Sequence, residues 1–220
     1  MLRDILRLLS KDNLQVQALS ECYEMLDICR QMVHASTTSL RQRDDASIDI
    51  DLVEADRRLN AFERDVRRKV MTHLAMGHTG DLASGLTLVS VVIDIERIGD
   101  YTKNIHDLAR NHPARLHGGP LEEKVAAIEK HALANFERSV DTFKKGDLDE
   151  ARRLMAGYKD DISRPAREVE EALVRGQVQM PASTATALAL YMRFLKRISA
   201  HARNLVSSLV NSFERIGYSE

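Results

Sequence analysis

The sequence predicts an all-α fold: a tandem pseudo-repeat of two antiparallel three-helix bundles. Three observations lead there. Turn-formers and aromatics are scarce, with 10 Gly, 4 Pro and 5% aromatics among 220 residues, while Leu, Ala, Glu and Arg abound. Apolar residues step by three and four almost throughout. The pattern is broken by one strong linker, "NHPARLHGGP", and then begins again.

The first long helix carries Leu19, Cys22, Leu26, Cys29 and Val33 as a bundle seam, with Asp12 or Asn13 placed to cap it. The polar run "STTSLRQRDDAS" marks its end. Asp49 or Asp51 starts a second helix, with Leu52, Leu59, Val66 and Val70 on one side. "GHTGD" is a turn, Gly77 suiting a helix stop and Asp81 an N-cap, and a third helix runs from about Leu82 to Arg110. After the linker, Val125, Ile128, Ala132, Phe136, Val140 and Phe143 define a fourth helix. Gly146 and Asp147 read as a stop and a start. A fifth carries Leu154, Ile162, Val169 and Leu173, with Pro165 expected to kink it. A sixth is expected from about Ala182 to Ile216. Residues 1–111 and 118–220 thus form two bundles, and "ERIGDYTKNI" overlays "KRISAHARNL" between them.

Lys and Arg number 32 against 33 Asp and Glu, so no basic excess points to nucleic acid. Cys22 and Cys29 are two helical turns apart, roughly 10 Å, too far to bridge. They read as small core residues in a reducing compartment. "MLRDILRLLSKDN" has charges among its leucines and no apolar signal region. It reads as a first helical turn on the bundle, and an amphipathic helix touching a membrane or partner is the alternative. The longest apolar stretch, Leu86 to Ile93, is too short to span a bilayer. A cytoplasmic protein is the expectation.

The chemistry concentrates on one helix face. Asp56, Asn60 and Glu63 share a side of the second helix, and Glu96, Asp100 and Asn104 line up along the third. Antiparallel packing across a short turn points Asp56, Asn60 and Glu63 at Glu96 and Asp100. Four converging carboxylates are costly to bury unpaired, and a multivalent cation would satisfy them. Ligands that are all oxygen favour magnesium, manganese, calcium or iron. The alternative is a salt-bridged face in which Arg57, Arg64, Arg67 and Arg97 pair with these acids.

"DIERIGDYTKNIHDLA" resembles the signature of the PhoU family of phosphate-uptake regulators, roughly D-L-E-R-I-G-D-x-A-x-N-I-A-E. Glu96, Arg97, Ile98, Gly99, Asp100, Asn104 and Ile105 match it. Asp56, Asn60 and Glu63 fit the family's acidic second helix, and Asp81-Leu82 its entry to the third. The resemblance implies a pair of three-helix bundles and a metal ion or multinuclear cluster (iron or zinc, with manganese or magnesium further candidates). Its ligands would be Asp56, Asn60, Glu63, Glu96 and Asp100. It implies a cytoplasmic, non-enzymatic adaptor between a phosphate transporter subunit and a sensor histidine kinase, repressing the phosphate-starvation response. Membrane association would come through the partner, and a homodimer is permitted.

The second half departs from the motif: Lys196 replaces its Glu, Ala200 its Asp, and Lys159 stands for Asp56. Metal is therefore expected in the N-terminal bundle only, and a lysine is expected to pair with Asp160 or Asp161. The late "ERIG" at Glu214–Gly217 reads as coincidence, with no Asp at the needed spacing. Two rivals differ in class. A di-metal carboxylate enzyme needs E-x-x-H pairs, and none of the eight histidines has a Glu three residues before it. A non-metal interaction module would keep the acidic face as a salt-bridge lattice. His73 and His78 flank the turn after the second helix and could add a ligand, a lone solvent-side histidine being the commoner case.

Overall fold

A computed structural model describes residues 13–218. The reading of "MLRDILRLLSKDN" as a first helical turn falls, but for Asn13, outside the described residues. Seven α-helices are present among the described residues: α1 (Leu14–Gln42), α2 (Leu52–Ala75), α3 (Leu82–Asn111), α4 (Glu122–Lys145), α5 (Leu148–Tyr158), α6 (Arg164–Val174) and α7 (Ala182–Val210). Helices α5 and α6 are the two arms of one interrupted helix, so the expected six remain six in architecture.

Capping sets where each helix starts. Asn13 accepts from the Gln15 N–H at 2.8 Å, and Asp51 from the Glu54 N–H at 2.9 Å. Asp147 accepts from the Asp149 and Glu150 N–H groups to start α5, just after Gly146 ends α4 in the left-handed region. Asp81 stands at the N-terminus of α3 but makes no capping bond. Its carboxylate accepts from His73 Nε2 instead, at 2.8 Å.

The interruption expected at Pro165 begins earlier. Lys159–Ser163 form a π-turn, and Pro165 lies in the first turn of α6. Proline has no N–H to give the carbonyl four residues back, so the wider turn forms immediately before it. The sixth helix ends at Val210, not at Ile216. Asn211 turns to extended backbone and its amide donates to the Arg215 and Tyr218 carbonyls. The Gly217 N–H donates to Ser207 Oγ at 2.8 Å. "ERIG" is thus part of a tail that folds back on α7.

One apolar core runs through both halves, from Met25, Met32, Leu59, Leu88 and Ile98 to Phe136, Phe143 and Tyr191. Cys22 and Cys29 are fully buried in it as free thiols. Burial pushes both thiols far up, beyond the range where a thiolate forms. Helices α3 and α7 pack across the two halves as pseudo-equivalents, residue n of α3 matching n + 100 of α7 in the aligned motifs. Tyr101 and its counterpart His201 face each other with ring centroids 5.7 Å apart. To one side Asp94 accepts from His201 Nδ1 at 2.7 Å and from Asn204 Nδ2 at 2.9 Å. To the other, Tyr101 packs on Phe194, the counterpart of Asp94, at 6.0 Å. The contact is arranged like a two-fold dimer interface within one chain.

Candidate functional site

Helices α2 and α3 approach closely at the acidic motif because Gly99 has no side chain. A Cβ there would lie 2.5 Å from Leu59 Cδ1, far inside van der Waals contact. Leu59 is buried on the inner side of α2, which turns Asp56, Asn60 and Glu63 toward the rim of the helix pair. Glu63 and Glu96 are the most enclosed of the acids, each with 15% of its side chain exposed. Asp56 and Asp100 are about twice as open, at 27% and 28%.

Glu96 and Asp100 share a hydrogen bond, and Glu63 adds its charge nearby. Burial, then the Asp100 charge and hydrogen bond, push the Glu96 carboxyl up to about 7, against the pull of Arg97. Burial would raise Asp100 too. Its hydrogen bond from Lys103, the Lys103 charge, the proton on Glu96 and Arg97 together hold it below the usual carboxylate range. The two acids titrate as one pair, with Glu96 shifted up and Asp100 shifted down.

The chain's own cations reach into the group. Lys103 Nζ lies 2.6 Å from Asp56 Oδ1 and 2.8 Å from Asp100 Oδ1, bridging α2 and α3. Asn60 donates to Asp56 Oδ2 at 3.2 Å. Arg67 pairs with Glu63 at 2.8 Å, and Arg97 with Asp100 at 2.9 Å and Glu96 at 3.6 Å. Arg57 turns away to Glu54, and Arg64 lines a separate groove with Glu21 and Arg58. Sequence reasoning missed Lys103, whose signal was its place one turn after Asp100 on the same face. It also passed over Asp94, the first residue of the motif, which joins the two halves rather than the acidic group.

The structure thus brings Asp56, Asn60, Glu63, Glu96 and Asp100 to one rim of α2 and α3. Carboxylates from two facing helices are the donor chemistry of a hard cation, so the residue types fit a metal. Their spacing is that of an ammonium-bridged group: no three of these acids bring ligand atoms within 4.8 Å of one another.

In the second half, Lys196 Nζ sits 2.9 Å from both carboxylate oxygens of Glu170 on α6. This corrects the expected pairing with Asp160 or Asp161: Asp160 is held by Arg164. The π-turn adds a residue to the helical count, so the side of α6 that meets α7 is not the one α5 spacing predicts. Ala200 offers no donor.

Residues 22–109, which span the acidic rim and both helices that build it, match the family model described as the PhoU domain. The first bundle is a PhoU domain. A phosphate-specific transport system accessory protein PhoU homolog from Clostridium acetobutylicum is 20% identical over 195 residues, 87% of this chain and 88% of that protein. The crystal structure of PhoU from Pseudomonas aeruginosa superposes with a TM-score of 0.80 at 21% identity, over 91% of this chain and 97% of that one. The phosphate transport system regulatory protein PhoU from Streptococcus pneumoniae gives 0.69 at 18% identity, over 90% and 91%. The PhoU fold therefore extends over both bundles. Among the described residues no helix is long and apolar enough to cross a membrane.

Proposed function

We propose that this chain is a regulator of phosphate transport of the PhoU type. It acts as a cytoplasmic adaptor on a phosphate transporter subunit, a sensor histidine kinase, or both. What supports this is the PhoU domain at residues 22–109 together with the two-bundle fold shared with PhoU proteins. A pull-down with the untagged chain from phosphate-replete cells tests it. Recovery of a transporter subunit or the kinase is expected, and recovery of neither sinks the adaptor role.

The first bundle is read as the metal-binding half. Asp56, Asn60, Glu63, Glu96 and Asp100 would hold a hard cation there, and the cation would supply fixed positive charge to the rim. The observation behind this is that acids from two helices meet across Gly99, with Glu96 driven up by burial and then by the Asp100 charge. A second reading has its own observation: Lys103 already bridges Asp56 and Asp100, as a salt-bridge lattice requires. Elemental analysis of the purified protein beside Glu96→Ala/Asp100→Ala separates them. Manganese or iron in the first and neither in the second supports the metal site. Equal content in both, after loading with manganese or iron, leaves the lattice.

A further inference from the structure

The other end of α2 carries a group of different chemistry. His73, in the last turn of α2, is 4% exposed, and its Nε2 donates to Asp81 Oδ2 at 2.8 Å. His78 stacks on His73 with ring centroids 4.3 Å apart and planes 9° from parallel. The ligand atoms of His73, His78 and Asp81 all lie within 4.8 Å of one another. Among the described residues, no other three His, Cys, Asp or Glu side chains come so close together. Ten residues of helix, roughly 15 Å, separate His73 from Glu63, so this group is independent of the acidic rim.

The turn is built to hold these three side chains together. Gly77 takes φ +96, which reverses the chain after α2 and brings His78 back over His73. Asp81 occupies the N-terminal position of α3, where an aspartate side chain ordinarily caps the helix. Its carboxylate makes no such bond and is aimed at a buried imidazole instead. A Cβ at Gly80 would meet nothing within 4 Å, so the turn is uncovered at that residue.

We propose that His73, His78 and Asp81 form a site for a divalent transition metal of the zinc class. Two imidazoles and one carboxylate are the three-ligand set of zinc sites that keep a fourth position for water. The nitrogen donors favour zinc, cobalt, nickel or copper over the hard ions that an all-oxygen group selects. The ion takes the place of the proton between His73 and Asp81, and the exposed His78 ring turns to face it. Bound there, it ties the end of α2 to the start of α3.

Zinc titration of the untagged full chain by calorimetry tests this, with cobalt(II) absorption as a second readout of nitrogen ligation. One zinc per chain is expected in the wild type and in Glu96→Ala/Asp100→Ala. His78→Ala, which removes an exposed ring and spares the core, is expected to weaken zinc by more than 100-fold. That exceeds the roughly 10–100-fold that an outer-shell partner costs. His78→Ala binding within threefold of wild type overturns the proposal. So does a wild type that takes up no zinc, or loss of zinc in the Glu96→Ala/Asp100→Ala protein.

Discussion

Asp94 and His201 are 107 residues apart in sequence and joined by a 2.7 Å hydrogen bond between the two halves of the molecule. Asp94 is 7% exposed and holds Asn204 as well, so its carboxylate answers two donors brought by α7. Its counterpart in the pseudo-repeat is Phe194, which packs on Tyr101. The internal two-fold is therefore polar on one side and aromatic on the other. Asp94→Ala removes the acceptor from both donors and should cost about 1.5–3 kcal/mol, the range for hydrogen bonds to a charged group. Urea unfolding of the two proteins measures it. A loss below about 0.5 kcal/mol would mean that the Asp94 hydrogen bonds contribute little to joining the halves.

Gly99→Ala is expected to destabilise by about 1–3 kcal/mol, since the new methyl meets Leu59 Cδ1 at 2.5 Å. Leucine has somewhere to go only if it is shortened. Leu59→Ala alone should cost about 2–5 kcal/mol through the cavity it leaves. In the double variant the two changes should partly cancel, because the new methyl fills part of that cavity. A double-mutant cycle reads this directly. Strict additivity would show that the two residues do not touch in solution.

The helices and the acidic rim were legible in the sequence because both follow helical periodicity. Asp56, Asn60, Glu63, Glu96 and Asp100 need only a period of 3.6 and an antiparallel neighbour to be placed together. What escaped depends on contacts without a period. Lys103 looked like one more surface lysine until its reach to Asp56 on the facing helix was known. A lysine was expected to pair with Asp160 or Asp161, but the π-turn shifts that register and Lys196 meets Glu170 instead. The end of α7 was overrun because "NSFERIG" is helix-compatible locally, while Asn211 and Ser207 hold the tail in a reversal.

Lys103→Met removes the ammonium that links Asp56 to Asp100 and leaves its apolar stem in place. All three groups are partly solvated, so the expected stability loss is about 1 kcal/mol or less. The more telling readout is cation binding. If the rim is a metal site, the variant leaves more negative charge there and should bind manganese more tightly than the wild type, with a larger rise in Tm on adding the ion. If the rim is a lattice, manganese should shift neither protein, and equal titration curves would end the metal reading for this rim.

The last prediction concerns acid stability at the α1–α4 junction. The Arg41 side chain is 8% exposed and pairs with Glu122 at 2.5 Å and Glu129 at 2.8 Å. It also donates to the Leu116 carbonyl in the linker. Burial would raise the Glu122 carboxyl. The Arg41 hydrogen bond, the Gly118 N–H and the Arg41 charge outweigh it, so Glu122 is held below its ordinary value. A carboxylate lowered in the folded state stabilises the fold above its unfolded pKa, and that contribution fades as pH falls through the lowered folded value. Wild type should therefore lose Tm steeply below about pH 4.5, the region where an unperturbed Glu titrates. Glu122→Gln, which cannot titrate, should start lower at neutral pH and show a shallower acid limb. Parallel acid limbs in the two proteins would remove Glu122 as a source of the pH dependence and shift attention to Asp141, lowered by its hydrogen bond from Arg30.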